Sequence, residues 1–456
     1  MGDGPEERSR RPDRRPERIL AVDVGTQSLR ASVMDRSYRT LETARVSYFP
    51  RVLPGNRVEI DAETLWRAFI QACSELTPAQ PLDGVSFSTL CPSLLAMDCD
   101  GNPLTPLILH MDRRSYRQAA WAMKKIGEEK FLKISGNLPI PGGISATSLL
   151  WIKDNHSDIY RRPDVVFGHA VTFFMKRLTG RFLIDPSNAS FTGLYDTVGY
   201  GNWSPELFSA LQVEPEKLPE VVMSETVAGE LDYAVARAAR LPGGIPVVIG
   251  ANDTTCAAVG IGVSEPGMLM NTSGTTEILV LCLDSPLVGK DHLLRTHAYP
   301  NRWLAMRTVG AGGGSLEWFR KNFCREMSKE SFYDEYLTET LSARKLPRIR
   351  FHPYLTGDRH RLRQRFGAFS GITLDTSRED CLLALSYGIV SFQMKILDTW
   401  KRHTPLKAEI YHVGGGASES YTRFKQALLK DFRFIPSGET ALKGAAMLGF
   451  GALGRM

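Results

Sequence analysis

Two short polar turns in this chain combine glycine with hydroxyl side chains directly after an apolar run. The first turn is Asp23-Val-Gly-Thr-Gln-Ser28 and the second is Asn271-Thr-Ser-Gly-Thr-Thr276. Glycine lets a ligand approach the backbone closely, and successive N–H groups and hydroxyls bind phosphate. The Asp23 carboxylate can hold Mg²⁺ directly or through water. One such turn alone is also typical of an ordinary hairpin, but the pair predicts two hairpins on opposite sides of a polyphosphate.

Two glycine runs, 312–314 and 414–416, each precede a helical pattern. A nucleotide can lie against backbone N–H groups where a helix begins. Short glycine runs are also ordinary loops in a chain that contains 40 glycines. From both turns and both runs we predict a nucleotide site that consists of Gly25, Thr26, Gln27, Ser28, Ser273, Gly274, Thr275, Gly312, Gly313, Gly414, Gly415 and Gly416.

Asp253 follows an apolar strand pattern at 245–250 and begins a predicted helix. One interpretation is a helix N-cap, since aspartate is among the favoured capping residues. The other is a catalytic base, because transfer of a phosphoryl group to an alcohol requires a carboxylate beside the acceptor hydroxyl. The two roles are compatible. We place the junction of two domains at this point.

Alternating strand and helix patterns surround these residues. Strands are predicted at 19–24, 83–89, 93–98, 245–250 and 409–413, and helices at 61–76, 113–126, 145–155, 169–178 and 377–400. A strand–turn–strand unit occurs at 19–34 and again near 268–283, which indicates an internal duplication. Paired hairpins of this kind are typical of the actin-like ATPase architecture. We therefore predict an α/β fold of two lobes, with residues 1–18 as a charge-dense mobile tail.

Composition excludes several classes of protein. A net charge of +6 over 456 residues is far below that of a nucleic-acid-binding surface. No run approaches the ~20 apolar residues of a membrane-spanning helix, and the N-terminus lacks the apolar stretch of a signal peptide. The seven cysteines form no C-x-x-C pair, so neither a disulfide framework nor a zinc site is indicated. We expect a cytoplasmic protein with reduced thiols and no membrane or nucleic-acid partner.

From about Arg18 to Met456 the chain resembles the FGGY family of carbohydrate kinases. The resemblance rests on both turns and on further segments: Asp112-Arg-Arg114, 143–155, Asp185-Pro-Ser-Asn-Ala-Ser190, 351–359 and 367–372. It implies two RNase-H-like lobes, a sugar-binding one at 19–250 and a nucleotide-binding one at 251–456. It further implies ATP between the lobes, a sugar or polyol deeper in the cleft, Asp253 as catalytic base and Mg²⁺ near Asp23.

The acceptor side departs from the family pattern. Thr89-Leu-Cys-Pro-Ser93 occupies the segment that contacts the sugar in many relatives, and His110 stands where a tryptophan is common. We expect Cys91 to be a wall of the pocket and not a nucleophile, because no adjacent base is visible in the sequence. The predicted substrate-binding residues are Thr89, Leu90, Cys91, Asp112, Asn252 and Asp253.

The expected function is ATP-dependent phosphorylation of a hydroxyl of a small sugar, sugar acid or polyol. The alternative is a non-catalytic sugar- and nucleotide-binding regulator derived from such a kinase. A polymerising or chaperone-like ATPase would leave the segments at 112–114 and 185–190 unexplained. The expected partners are the small acceptor and ATP, and we leave a homodimer open.

Overall fold

The computed structural model describes residues 17–77, 81–274, 276–309, 312–342, 346–358, 360–363, 365–414, 419–438 and 440–454. The predictions for Thr275, Gly415, Gly416 and residues 1–16 of the tail lie outside these residues.

Thirteen strands and nine helices precede residue 253 in the described chain. The strands are β1 (Arg18–Val24), β2 (Ser28–Asp35), β3 (Thr40–Ser47), β4 (Arg51–Leu53), β5 (Arg57–Ile60), β6 (Gly84–Thr89), β7 (Ser93–Met97), β8 (Leu107–Leu109), β9 (Val166–Gly168), β10 (Leu183–Ile184), β11 (Glu220–Val221), β12 (Val227–Glu230) and β13 (Pro246–Asn252). The helices are α1 (Ala62–Ser74), α2 (Tyr116–Ile126), α3 (Glu128–Ser135), α4 (Ala146–Asn155), α5 (Ser157–Tyr160), α6 (Ala170–Thr179), α7 (Pro186–Ala189), α8 (Pro205–Leu211) and α9 (Tyr233–Ala239), with a short 3₁₀ helix at Pro215–Lys217.

The remaining elements follow in the second half. Its strands are β14 (Leu269–Ser273), β15 (Glu277–Leu283), β16 (Leu293–Thr296), β17 (Trp303–Val309), β18 (Arg350–His352), β19 (Ala368–Ser370), β20 (Glu409–Val413) and β21 (Arg433–Ser437). Its helices are α10 (Asp253–Ile261), α11 (Gly312–Phe323), α12 (Leu337–Ser342), α13 (Arg378–Lys401), α14 (Glu419–Leu428) and α15 (Ala441–Leu453), with a π-helical segment at Ser331–Tyr336.

The two large sheets repeat one topology. In the first sheet, strands β3, β2 and β1 are antiparallel neighbours, and β6 and β13 continue the sheet parallel to β1. In the second sheet, β17, β15 and β14 are antiparallel neighbours, followed by the parallel strands β20 and β21. This confirms the predicted α/β fold of two similar RNase-H-like lobes. A five-stranded sheet, β4-β5-β8-β7-β9, is added to the first half.

Helices cover both faces of the first sheet, which explains why strand β1 is almost continuously apolar. Leu20 and Val22 face a core that includes Phe69 and Phe174 of helices α1 and α6. Ile19 and Ala21 face the opposite side, against helices α10 and α15. The last helix of the chain therefore packs on the first sheet. Strand β13 continues in that sheet to Asn252, and the division of the chain at residue 250 stays a prediction.

Helix α13 is long and apolar enough to cross a membrane by length and composition, although the sequence analysis found no run of that kind. In the described chain 56% of its apolar window is buried. Leu385, Ile389 and Trp400 pack in the core of the second lobe. The apolar character of α13 is therefore accounted for by the core of this lobe.

Helices α10 and α15 cross in direct backbone contact. A Cβ atom added at Gly444 would lie 1.8 Å from the carbonyl oxygen of Cys256, and one at Gly260 would lie 2.1 Å from that of Thr440. No side chain fits at either position, because backbone atoms cannot move aside as the end of a flexible side chain can.

Gly444→Ala is expected to destabilise the protein. A helical Gly→Ala change ordinarily stabilises by about 1 kcal/mol, but here the methyl group meets the Cys256 carbonyl, and such overpacking costs roughly 1–3 kcal/mol or more. Urea unfolding measures the net effect. Gly438→Ala is the control, since nothing lies within 4 Å of a Cβ there. An unchanged or raised stability for Gly444→Ala would contradict the tight crossing.

Candidate active site

Three parallel strands of the first sheet end at one edge. Val24 of β1 and Asn252 of β13 both lie opposite Thr89 of β6 in the strand register. Ligands of open α/β sheets bind outside the carboxyl ends of parallel strands. The topology therefore brings Asp23, the loop that follows Thr89, and Asp253 to the same edge of the sheet. The predicted active site needs this proximity.

Asp253 is the first residue of α10 and is half-buried. Its Oδ1 accepts hydrogen bonds from the backbone N–H of Thr254 at 2.6 Å and from the Thr254 hydroxyl at 3.2 Å. Burial, followed by the nearby charge of Asp23, raises the pKa of Asp253 to about 7. This carboxyl group can therefore exchange a proton near neutral pH.

The interpretation of Asp253 as a helix N-cap is wrong. The cap of α10 is Asn252, whose side-chain oxygen accepts a hydrogen bond from the N–H of Thr255 at 2.9 Å. Its backbone N–H donates to the hydroxyl of Ser187 at 3.0 Å. Asn252 is fully buried, and its assignment to the substrate site stays a prediction.

Asp23 is 5% exposed and is bound by two side chains. Arg30 Nη2 lies 2.6 Å from Oδ2, and Ser88 Oγ lies 2.7 Å from Oδ1. The sequence analysis missed Arg30, although the hairpin register places it directly opposite Asp23. The turn itself is held by the Gly25 N–H, which donates to the Ser28 carbonyl at 3.0 Å. Thr26 and Gln27 lie within this turn, between β1 and β2.

A magnesium ion fits this carboxylate. Each oxygen of Asp23 accepts one hydrogen bond, and a carboxylate offers about four lone-pair sites in total, so acceptor capacity remains. The described residues contain no group of three or more His, Cys, Asp or Glu side chains that could hold a metal ion. Mg²⁺ in kinase sites is usually held by one or two carboxylates together with substrate phosphates and water. Asp23 matches that kind of site.

Cys91 lies beside a histidine that the sequence analysis did not find. Its Sγ is 3.4 Å from His169 Nδ1, and His169 Nε2 is 2.8 Å from the hydroxyl of Ser145. Burial raises the pKa of the Cys91 thiol well above its usual value and lowers the pKa of His169 to about 3. Both groups are therefore neutral near pH 7. His169 is thus a base next to Cys91 that was not visible in the sequence, but the Cys91 thiol stays protonated beside it.

The other predicted acceptor residues are buried. Thr89 is fully buried, and the Leu90 side chain packs in the core of the first lobe. The Asp112 carboxylate accepts hydrogen bonds from the backbone of Val58 at 2.7 Å and from the Arg114 guanidinium at 2.7–3.0 Å. These bonds fix Asp112 within the first lobe, and its role in substrate binding stays a prediction.

Arg295 of strand β16 was also missed. Its side chain is fully buried and donates to the carbonyl oxygens of Ser190 at 2.8 Å and Gly143 at 2.7 Å. Its guanidinium lies 3.7 Å from the centre of the Phe191 ring. Burial lowers the pKa of Arg295 to about 9. A strand of the second sheet is thereby tied to the first half of the chain, next to the segment at 185–190.

Ser273, Gly274, Gly312, Gly313 and Gly414 of the predicted nucleotide site come together in the second lobe, whereas Gly25, Thr26, Gln27 and Ser28 lie in the β1–β2 turn of the first lobe. The Gly313 N–H donates to the Gly274 carbonyl at 3.0 Å, which joins the start of α11 to the second turn. A Cβ added at Gly414 would lie 2.5 Å from the Ser273 carbonyl oxygen, and one at Gly312 would lie 2.5 Å from Glu277 Cβ. Glycine is required at these contacts, and the three glycine segments form one surface.

A family model for the N-terminal domain of the FGGY family of carbohydrate kinases matches residues 18–260, more than half of the chain. The chain belongs to this family. Residues 18–260 of this FGGY kinase include Asp23, the Thr89–Cys91 loop and Asp253. Membership makes it a carbohydrate phosphotransferase of a family that uses ATP as the phosphate donor.

Similar proteins span nearly the whole FGGY kinase. The xylulose kinase of Staphylococcus xylosus is 26% identical over 409 residues, which cover 88% of this chain and 83% of that protein. The gluconokinase of Bacillus subtilis (strain 168) is 25% identical, with 96% and 88% covered. The crystal structure of xylulose kinase from Lactobacillus acidophilus has a TM-score of 0.88 at 18% identity, with 96% and 90% covered. The last likeness supports the fold alone.

The raised pKa of Asp253 predicts a stability effect. Because its folded-state pKa of about 7 exceeds the ordinary aspartate value of 3.8, ionisation opposes folding, and the stability it removes is lost as pH rises from about 4 to about 7. At 1.4 kcal/mol per pKa unit, reduced for partial exposure, Asp253→Asn should stabilise the kinase by roughly 2–4 kcal/mol at pH 8. At pH 4 the gain should nearly vanish.

Denaturant unfolding at both pH values measures this difference. Asp100→Asn, at an exposed carboxylate, is the matched control and should change stability by less than about 0.5 kcal/mol. Equal stability of parent and Asp253→Asn at pH 8 would show that the site does not destabilise the ionised carboxylate of Asp253.

Proposed function

We propose that this chain transfers the γ-phosphoryl group of ATP to a hydroxyl of a small sugar, sugar acid or polyol, with Asp253 as general base. The observation that carries the proposal is a half-buried carboxyl group, with a pKa of about 7, beside Asp23 at the shared edge of three strands. A general base is most effective when its pKa lies near the working pH.

Asp253 would orient the acceptor hydroxyl and take its proton as the bond to phosphorus forms. Thr254 holds the Oδ1 oxygen of Asp253 through two hydrogen bonds, so the base keeps one orientation while its proton is exchanged. Proton transfer to a positioned base typically contributes 10²–10⁴-fold to the rate. The hydroxyl would thereby become a better nucleophile without a covalent enzyme intermediate.

The second lobe would bind the nucleotide on the surface formed by Ser273, Gly274, Gly313 and Gly414. Backbone N–H groups at the start of α11 suit a phosphate, because the helix dipole favours negative charge there. Mg²⁺ bound near Asp23 would neutralise charge on the phosphates. The pairing of Asp23 with Arg30 at 2.6 Å keeps that carboxylate in place.

Relatives named xylulose kinase, gluconokinase and glycerol kinase support an acceptor that is a sugar, a sugar acid or a polyol. The non-catalytic regulator is the second candidate. The elevated pKa of Asp253 argues against it, because a binding protein has no need of a base.

An ADP-release assay over a panel of ketoses, aldonates and polyols separates the two. ADP release with at least one acceptor supports the kinase. Binding of both ligands without ADP release supports the regulator.

Turnover is expected to depend on the charge of Asp253. Because protonation removes the base, kcat of the parent should fall about tenfold per pH unit below about pH 7 and level off above it. Asp253→Asn should lower turnover roughly 10²–10⁴-fold and abolish this limb of the profile. The measurements are a pH–rate profile and binding of both ligands by calorimetry. A folded Asp253→Asn protein within threefold of parental turnover would leave Asp253 without a catalytic role.

Acceptor choice is expected to depend on Cys91. Cys91→Ser replaces a neutral thiol by a stronger hydrogen-bonding hydroxyl next to His169, so the ranking of acceptors by kcat/KM should change. The KM for ATP should stay within twofold, since Cys91 is not among the predicted nucleotide-binding residues. Cys99→Ser, at an exposed cysteine, is the matched control. An unchanged ranking over the panel would assign Cys91 a structural role only.

A further inference from the structure

Glu277 and Lys425 form a completely buried ion pair in the second lobe. Both side chains are fully inaccessible to solvent, and Lys425 Nζ donates to Glu277 Oε1. The same ammonium group donates to the Oδ1 atom of Asn271 at 3.2 Å. Lysine and glutamate are almost never fully buried unless they are paired. Neither residue was singled out by the sequence patterns.

The pair joins the segments that form the nucleotide surface. Asn271 lies on β14 and is the first residue of the second phosphate turn, and Glu277, the first residue of β15, follows that turn directly. Lys425 lies on α14, the helix that follows the glycine run at 414–416. A Cβ added at Gly312, the first residue of α11, would lie 2.9 Å from Glu277 Oε2. One ion pair thus contacts the hairpin and both helices behind it.

The groups around the pair are uncharged at neutral pH. His412 lies opposite Asn271 in the strand register, and burial and the Lys425 charge lower its pKa to about 4. The rings of Tyr421 and Phe434 lie 5.0 and 5.8 Å from the ammonium nitrogen. The positive charge of Lys425 is therefore balanced by Glu277. Its ammonium group contacts both strands of the hairpin, β14 through Asn271 and β15 through Glu277.

Stability alone does not explain this arrangement. Desolvation of two charges offsets much of their attraction, and apolar residues of similar volume often stabilise a protein as well or better. Removing one partner, by contrast, is strongly destabilising because a charge remains buried. What an apolar pair cannot supply is a directional contact from one atom to both strands of the hairpin.

We propose that the Lys425–Glu277 pair is a positioning element that holds the second phosphate turn against α11 and α14 and thereby sets nucleotide affinity. This inference rests on the proposed function in that the turn is taken to bind ATP. Both residues act through the backbone of the turn and do not touch the reacting atoms.

The test uses the double variant Lys425→Met/Glu277→Gln, which removes both charges and leaves no ion buried alone. We expect the Kd for Mg·ADP, measured by calorimetry, to rise at least tenfold, and the KM for ATP to rise in parallel. The KM for the acceptor should stay within twofold, and the double variant should remain folded. Arg423→Met/Glu419→Gln removes an exposed pair of the same helix and should change none of these values.

The outcomes distinguish a failure of this inference from a failure of the proposed function on which it rests. A folded double variant that binds Mg·ADP within twofold of the parent would show that the pair is only structural. Failure of the parent to bind Mg·ADP would instead overturn the proposed function. If the double variant does not fold, Asn271→Ser keeps the ion pair and removes the bond from Lys425 to β14, together with the bond from Asn271 Nδ2 to the Ile278 carbonyl at 3.3 Å. A Kd for Mg·ADP raised at least threefold supports the inference in that case, and an unchanged Kd overturns it.

Discussion

Burial of the Asp253 carboxyl group next to Asp23 is the constraint around which the site is arranged. Both lie where parallel strands end, and the charge of Asp23 contributes to the raised pKa of Asp253. Asp23 receives a guanidinium and a hydroxyl, whereas Asp253 receives only hydrogen bonds from Thr254. Two chemically similar groups thus have different surroundings, and those of Asp253 raise its pKa.

The rest of the fold supports that edge from both sides. Helix α15 returns from the C-terminus to pack under β1 and β6, and its contact with α10 depends on two glycines. Since α10 begins with Asp253, any shift in this crossing moves Asp253. On the other side, Arg295 ties the second sheet to the backbone at Ser190 and Gly143. A buried side chain bonded to backbone carbonyls thus helps to set the relative position of the two lobes.

Local patterns predicted the elements well, because strand and helix periodicity is a short-range property. The helix predicted at 61–76 is found at Ala62–Ser74, and the one at 377–400 at Arg378–Lys401. Partners far apart in sequence were missed: His169 is 78 residues from Cys91, and Lys425 is 148 residues from Glu277. Only Arg30 could have been found, since the predicted hairpin register places it opposite Asp23. The N-cap was misassigned by one residue, which is within the usual error of helix boundaries.

Some charged side chains of this chain are buried at positions where packing alone does not require a charge. Asp253, Arg295 and Lys425 are withdrawn from water to different extents, and burial of a charge opposes folding unless the charge is paired. Each lies where two segments meet: α10 with the sheet edge, β16 with the first half, and α14 with strand β14. A chain selected for stability alone would place apolar side chains at such positions. Buried charge is therefore found at such junctions in both lobes, where packing alone favours apolar side chains.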